Sequence, residues 1–279
     1  MRLANVEGRL ALVFPEETAL DVATASDGRF GPDPMSAFDD WEALIAWAST
    51  VDGGGGAFDR AELGPPVPRP QQVFAIGVNY REHADEAGYP PDSLPVTFTK
   101  FPSSLTGPDA IVVLPEGNVD WEVELVVVVG RGGHEIPREE AWKHVAGVTI
   151  GQDLSERIAQ LEGTRPQFSL AKSHPGFSPT GPWLVTTDEF ADPSDLAISC
   201  SLDGETLQDS RTSRMIYDIP ELIARLSAVV SLLPGDLIFT GTPSGIGNAR
   251  TPKRFLHPGD TLVSTIEGIG EITTRFTAA

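Results

Sequence analysis

Trp121-Glu122-Val123-Glu124-Leu125-Val126-Val127-Val128-Val129 is the segment whose reading decides how this chain folds. Its second half is apolar without interruption and rich in β-branched valine, which favours an extended strand. A strand with no polar alternation is one covered on both faces. Successive side chains of a strand point to opposite faces, so Glu122 and Glu124 share one face. Side by side in an apolar setting, two carboxylates repel and lose hydration, at a cost of several kcal/mol unless something positive compensates them. Two readings follow: a solvated edge strand whose glutamates pair with lysines, or a divalent cation held between them. Asp153 tips the balance to the cation, because it follows a second apolar run, residues 145–150, and Gly151, which lets the backbone approach closely. Three carboxylates without a nearby Cys or His make an all-oxygen set, suited to Mg2+, Mn2+ or Ca2+ rather than Zn2+ or Cu2+.

Outward from this segment, strands are expected at residues 73–77, 96–100, 111–114, 121–129, 145–151, 183–186, 196–202, 236–242 and 261–266. The clearest helix is expected over 220–233, with Pro220 in its first turn, apolar Leu222, Ile223, Leu226, Val229 and Val230, and Pro234-Gly235 to stop it. No regular strand–helix alternation runs through the chain, so the class is α+β and mainly β rather than doubly wound. Upstream, residues 2–14 read as two short strands around Glu7-Gly8, and Phe38, Trp41, Leu44, Ile45 and Ala48 fall at helical spacing. A glycine run at 53–56 and the prolines 65, 66, 68 and 70 have the composition of a connector. The expected organisation is a small N-terminal α/β module, 1–69, and a larger domain, 70–279.

The 279 residues carry 20 basic and 40 acidic side chains, a formal charge of −20. Such a chain repels phosphate backbones and anionic lipid surfaces, so neither a nucleic acid nor a membrane is expected as partner. Residues 1–8 lack a signal-peptide core and the purest apolar run, 125–129, is too short to span a bilayer, so a cytoplasmic location is expected. Cys200 is the one cysteine, which excludes an intrachain disulfide and a thiolate metal cluster. There is no GxSxG, HExxH or P-loop, and Ser244-Gly245-Ile246-Gly247 does not complete GxGxxG, so serine-hydrolase, zinc-protease and dinucleotide readings lose their usual support.

Asp120-Trp121-Glu122-Val123-Glu124-Leu125, Gly151-Gln152-Asp153, Leu170-Ala171-Lys172-Ser173 and the run from Gly235 to Gly247 occur in an order that resembles the fumarylacetoacetate hydrolase family over residues 70–276. The resemblance implies that family's rolled mixed-strand β domain, a homodimer, and Mg2+ (or Mn2+) held by Glu122, Glu124 and Asp153. It turns His83 and Glu86, otherwise an ordinary exposed pair three residues apart, into the base and orienting group of a lid that activates water. Lys172 follows Phe168 and Leu170 with a period of two, a spacing that aims its ammonium inward among apolar neighbours, although a surface lysine is the usual case; the resemblance puts it beside the metal to stabilise an enolate or carboxylate. Lys100, Arg157 and Gln160 match substrate-binding positions, and Thr242 offers its hydroxyl and N–H to a substrate carboxylate. Ile158 and Pro175 depart from the family, which often has acidic residues there.

The implied activity is hydrolysis of a carbon–carbon bond in an acylpyruvate-like 2,4-dioxo acid, a small anionic substrate, by way of a pyruvate enolate held at the metal. Oxaloacetate decarboxylation and isomerisation of 2-hydroxyhepta-2,4-diene-1,7-dioate draw on the same groups. A non-catalytic keto-acid binding protein is the reading from another class.

Overall fold

The computed structural model describes residues 1–15, 18–90, 92 and 94–279. Its centre is the strand Val123–Val129, wholly buried, paired antiparallel with Val145–Gln152 on one side and Leu237–Phe239 on the other. From Val145–Gln152 the sheet continues through Ser178–Val185 to the N-terminal hairpin, Arg2–Val6 and Arg9–Phe14. From Leu237–Phe239 it continues through Val73–Gly77 to Val96–Thr99, the first of these contacts parallel and the second antiparallel. A second sheet orders Glu205–Arg211, Ala197–Leu202, Thr261–Ile266, Gly270–Ala278 and Asp109–Leu114, the last two parallel.

The mixed strand directions are those of the expected α+β, mainly β fold. Both faces of the central strand are packed, as its unbroken valines require. Val123, Leu125, Val127 and Val129 join Ile198, Leu262 and Ile272 in the core between the sheets. Val126 and Val128 join Leu44, Val73 and Phe239 in a second core on the opposite face. The N-terminal residues therefore enter the main sheet by strand pairing and cover its second face with Leu44.

Local signals account for most boundaries. The hairpin at Glu7-Gly8 has positive φ at both residues, +50° and +80°, the geometry that matches the twist of two flanking strands. The expected helix over the Phe38–Ala48 pattern is two pieces, a 3₁₀ turn Pro34–Phe38 and an α-helix Trp41–Ala48, because Asp40 caps the Ala43 N–H and starts the helix anew. The helix expected over 220–233 is Ile219–Ser227. Beyond it Val229 is 80% exposed, so the apolar spacing there outruns the helix. Strands Glu205–Arg211 and Gly270–Ala278, which carry more polar residues, escape the sequence reading. Among the described residues no helix is long and apolar enough to cross a membrane.

Candidate active site

The central strand does not run unbroken from Trp121. A short strand Val119–Asp120 precedes it, and the chain leaves regular pairing at Trp121 and Glu122. Three successive backbone N–H groups are satisfied there by side chains: Trp121 by Asp120 at 2.9 Å, Glu122 by Gln152 at 2.9 Å and Val123 by Gln208 at 3.0 Å. This break brings Glu122 toward Glu124 and Asp153, and all three are buried with one carboxylate oxygen each within 4.8 Å of the others.

Three cations are packed against them. Lys172 Nζ donates to Glu122 Oε2 at 2.8 Å, Asp153 Oδ2 at 2.7 Å and Ser155 Oγ at 2.7 Å. Arg157 donates to Glu122 Oε1 at 2.6 Å, Asp120 Oδ2 at 2.9 Å and Gln160 Oε1 at 2.8 Å. Lys100, 1% exposed, donates to Asp153 Oδ1 at 2.5 Å and to the Lys172 carbonyl. Lys100 thus braces the Asp153 carboxylate, and neither of the two is among the residues that line the cavity. Lys172 follows a single helical turn, Phe168–Ala171, with Leu170 75% exposed. Its burial comes from its ion pairs, and the strand periodicity that pointed it inward is not present.

Electrostatics inside this cluster follow from burial and charge. Burial pushes the Glu122 carboxyl up, but Lys172, Arg157 and His83 outweigh it and carry the group down to about 2. Glu124 makes no direct ion pair among the described residues: burial, then Asp153 and Glu122, push its carboxyl well above the usual range, and Lys172 and then the Gly241 N–H at 2.8 Å offset only part. Burial pulls the Lys100 ammonium down, and nearby Lys172 adds to that against the pull of Asp153. The acidic side chains Asp120, Glu122, Glu124 and Asp153 outnumber their cations by one. Burial, and then the nearby charge of Glu124, push the Tyr80 hydroxyl up, and this Oη has no hydrogen-bond partner among the described residues. A surplus negative charge, a carboxyl pushed up and an unpartnered hydroxyl, around an all-oxygen donor set, fit a hard divalent cation at Glu122, Glu124 and Asp153.

The cluster opens on a cavity of about 260 Å³ lined by Glu122, Arg157, Gln160, Lys172, Thr242, His83 and Glu86 among others. The helix Arg81–Glu86 brings the last two together, His83 Nδ1 to Glu86 Oε1 at 2.8 Å. His83 is 6% exposed and Glu86 is half-buried, so this is not a surface pair. Glu86 Oε2 accepts the Gly245 N–H at 2.9 Å. Gly245 sits at φ +107°, and a Cβ there would lie 2.1 Å from the Leu207 carbonyl, so glycine is required. Val78, on the cavity wall, holds φ +63°, a strained conformation for a β-branched residue. The next residue, Asn79, donates to the Tyr217 and Thr240 carbonyls and accepts from the Tyr217 N–H, and these three bonds hold that strain.

Residues 72–277, which carry all of these groups, match the family described as fumarylacetoacetate (FAA) hydrolase C-terminal. The chain belongs to the fumarylacetoacetate hydrolase family. Oxaloacetate tautomerase FAHD2A, mitochondrial, of Bos taurus is 44% identical over 212 residues, 75% of this chain and 68% of that one. A Mycobacterium smegmatis protein with the provisional name HpcE superposes with a TM-score of 0.96 at 56% identity over the full length of both chains. Maleylpyruvate hydrolase of Sphingobium sp. SYK-6, solved with manganese(II) and pyruvate, gives 0.83 at 29% identity, again over both full chains. This chain is thus an enzyme of a family whose similar members include metal-dependent hydrolases, isomerases and tautomerases.

Within this fumarylacetoacetate hydrolase family site, sequence reasoning overlooked Asp120, Gln152, Ser155 and Gln208, all buried. Asp120 accepts from Arg157 and from the N–H groups of Gly247 and Asn248, which ties the strand break to the loop over the cavity. A polar residue inside an apolar strand pattern is a signal that would have found Gln152, at the end of the run 145–150. Of the departures from the family pattern, Ile158 is 59% exposed.

Proposed function

We propose that this enzyme hydrolyses a carbon–carbon bond in an acylpyruvate-like 2,4-dioxo acid. The observation that carries the reading is the hydrogen-bonded His83–Glu86 pair lining the same small cavity as Glu122, Lys172 and Thr242. Glu122, Glu124 and Asp153 would hold Mg2+ or Mn2+, which supplies Lewis acidity to an oxo acid. Glu86 accepts the proton of His83 Nδ1, which leaves Nε2 unprotonated and able to take a proton from water in the cavity. The hydroxide then adds to the distal carbonyl, the carbon–carbon bond breaks, and the electron pair passes to the pyruvate fragment. Arg157 and Lys172 are the nearest cations to the charge that develops there, and a proton returned to carbon completes pyruvate. Within this reading the protein works in the cytoplasm as a homodimer; the exposed Ile111 and Val113 on the edge strand Asp109–Leu114 support a second copy.

The 44% identity to an oxaloacetate tautomerase favours a second reading, in which the same base moves a proton between carbon and oxygen with no bond to carbon cleaved. Incubation with acetylpyruvate, fumarylpyruvate and oxaloacetate, with Mn2+ and with a chelator, separates the two. Hydrolysis gives pyruvate plus the free acid only with metal. Tautomerisation gives enol–keto exchange of oxaloacetate, seen by ultraviolet absorbance and solvent deuterium uptake, with acylpyruvates left intact, and that outcome sinks the hydrolase.

A further inference from the structure

Thr242 lines the cavity, and Gln208 of the second sheet touches it from behind, 1% exposed. Gln208 Oε1 accepts the Val123 N–H at 3.0 Å, while its Nε2 donates to the Pro243 carbonyl at 2.8 Å and to Thr242 Oγ1 at 2.8 Å. A backbone N–H only donates and a carbonyl only accepts, so the amide has one workable orientation. Gln208 is therefore the donor to Thr242, and the proton of Thr242 has to point elsewhere. Among the described residues no hydrogen bond gives that proton an acceptor, and Thr242 is one of the residues that line the cavity. Gln160 repeats the device: its Oε1 accepts from Arg157 Nη1, which leaves the Gln160 amide NH₂ as a second donor on the cavity wall.

We infer that Gln208 is a positioning residue that locks the Thr242 hydroxyl as a donor into the cavity, so that this wall, with Gln160, selects a carboxylate oxygen. The inference deepens the oxo-acid reading and rests on it for the identity of the ligand. Both donors are oriented by hydrogen bonds within the protein, so no reorganisation is needed when an anion arrives.

The test is a double-mutant cycle read by calorimetric titration of the Mn2+-loaded protein with pyruvate and, separately, with oxalate. Thr242→Val removes the donor. Gln208→Glu keeps the acceptor for Val123 but turns its second oxygen into an acceptor for the Thr242 proton, drawing that proton out of the cavity. Each single change is expected to weaken binding about tenfold or more, the scale of a hydrogen bond to a charged group. The double variant is expected to bind no more weakly than Thr242→Val alone, since Gln208 acts only through that hydroxyl. Losses that multiply in the double variant, or unchanged affinity in Gln208→Glu, overturn the inference. If Gln208→Glu does not fold, Gln208→Met serves: it frees the hydroxyl to rotate, with a smaller loss expected that again vanishes in the Thr242→Val background. Wild-type protein that binds oxalate but not pyruvate removes the oxo-acid reading while the oxalate cycle still judges Gln208. Binding of neither carboxylate overturns both.

Discussion

Glu86→Gln inverts the proton on His83 while changing almost nothing else. Glu86 Oε2 accepts from the Gly245 N–H, and Oε1 faces His83 Nδ1. In the variant an oxygen has to keep facing the Gly245 N–H, because that group can only donate. The new NH₂ then faces Nδ1 and donates to it, and the neutral ring must carry its proton on Nε2, the nitrogen on the cavity side. A base whose lone pair is covered by a proton is lost to catalysis. General-base catalysis contributes about 10²–10⁴-fold, equivalent to roughly 3–5 kcal/mol of barrier, so kcat on an acylpyruvate is expected to fall by that factor. Shape and hydrogen-bond count are conserved, so melting temperature, Mn2+ affinity and pyruvate affinity stay near wild type. Stopped-flow loss of the diketo absorbance gives kcat, and calorimetry gives the affinities. A kcat within threefold of wild type refutes the assignment of His83 as base, whatever the substrate.

Lys172→Met leaves Glu122 and Asp153 buried without their shared cation. Breaking a buried pair from one side costs about 3–5 kcal/mol, so the metal-free protein is expected to melt about 6–15 °C lower, with Mn2+ recovering much of the loss; an unshifted melting curve refutes the role of the ion pair. Glu124 has a folded-state pKa raised above its unfolded value, so its stabilising proton is present below the ordinary carboxylate range and is lost as pH rises through the raised value. Metal-free protein should therefore lose stability as pH climbs across that window, while Mn2+ affinity increases over the same window with release of a proton; calorimetry in buffers of different ionisation enthalpy counts it, and Glu124→Gln should abolish the slope. Gly245→Ala forces a Cβ against the Leu207 carbonyl and withdraws the N–H from Glu86. It should lower kcat at least about tenfold with Mn2+ affinity kept, because the three carboxylates are elsewhere.

The sequence by itself determined the parts of this protein that depend on local backbone period and on charge. A valine run buried on both faces, Glu122 and Glu124 beside it, and Asp153 after the next apolar run are enough to single out three carboxylates able to hold a metal in a mainly β chain, and the spaced motifs are enough to name the family. The hairpin at Glu7-Gly8 and the strands 73–77 and 261–266 were legible for the same reason, since turn chemistry and alternation are written within a few residues. The tertiary structure alone decided what holds the site in working order. The N–H groups freed at Trp121–Val123 find Gln152, 30 positions away from Glu122, and Gln208, 85 positions away from Val123. Gly245, 159 positions from Glu86, donates its N–H to the carboxylate that holds His83. Lys172 is inward because carboxylates from two strands meet its ammonium, a fact that no period of its own segment records. Period reports which way a residue faces along its own backbone; the partner that satisfies a buried polar group is chosen by where distant strands come together in space.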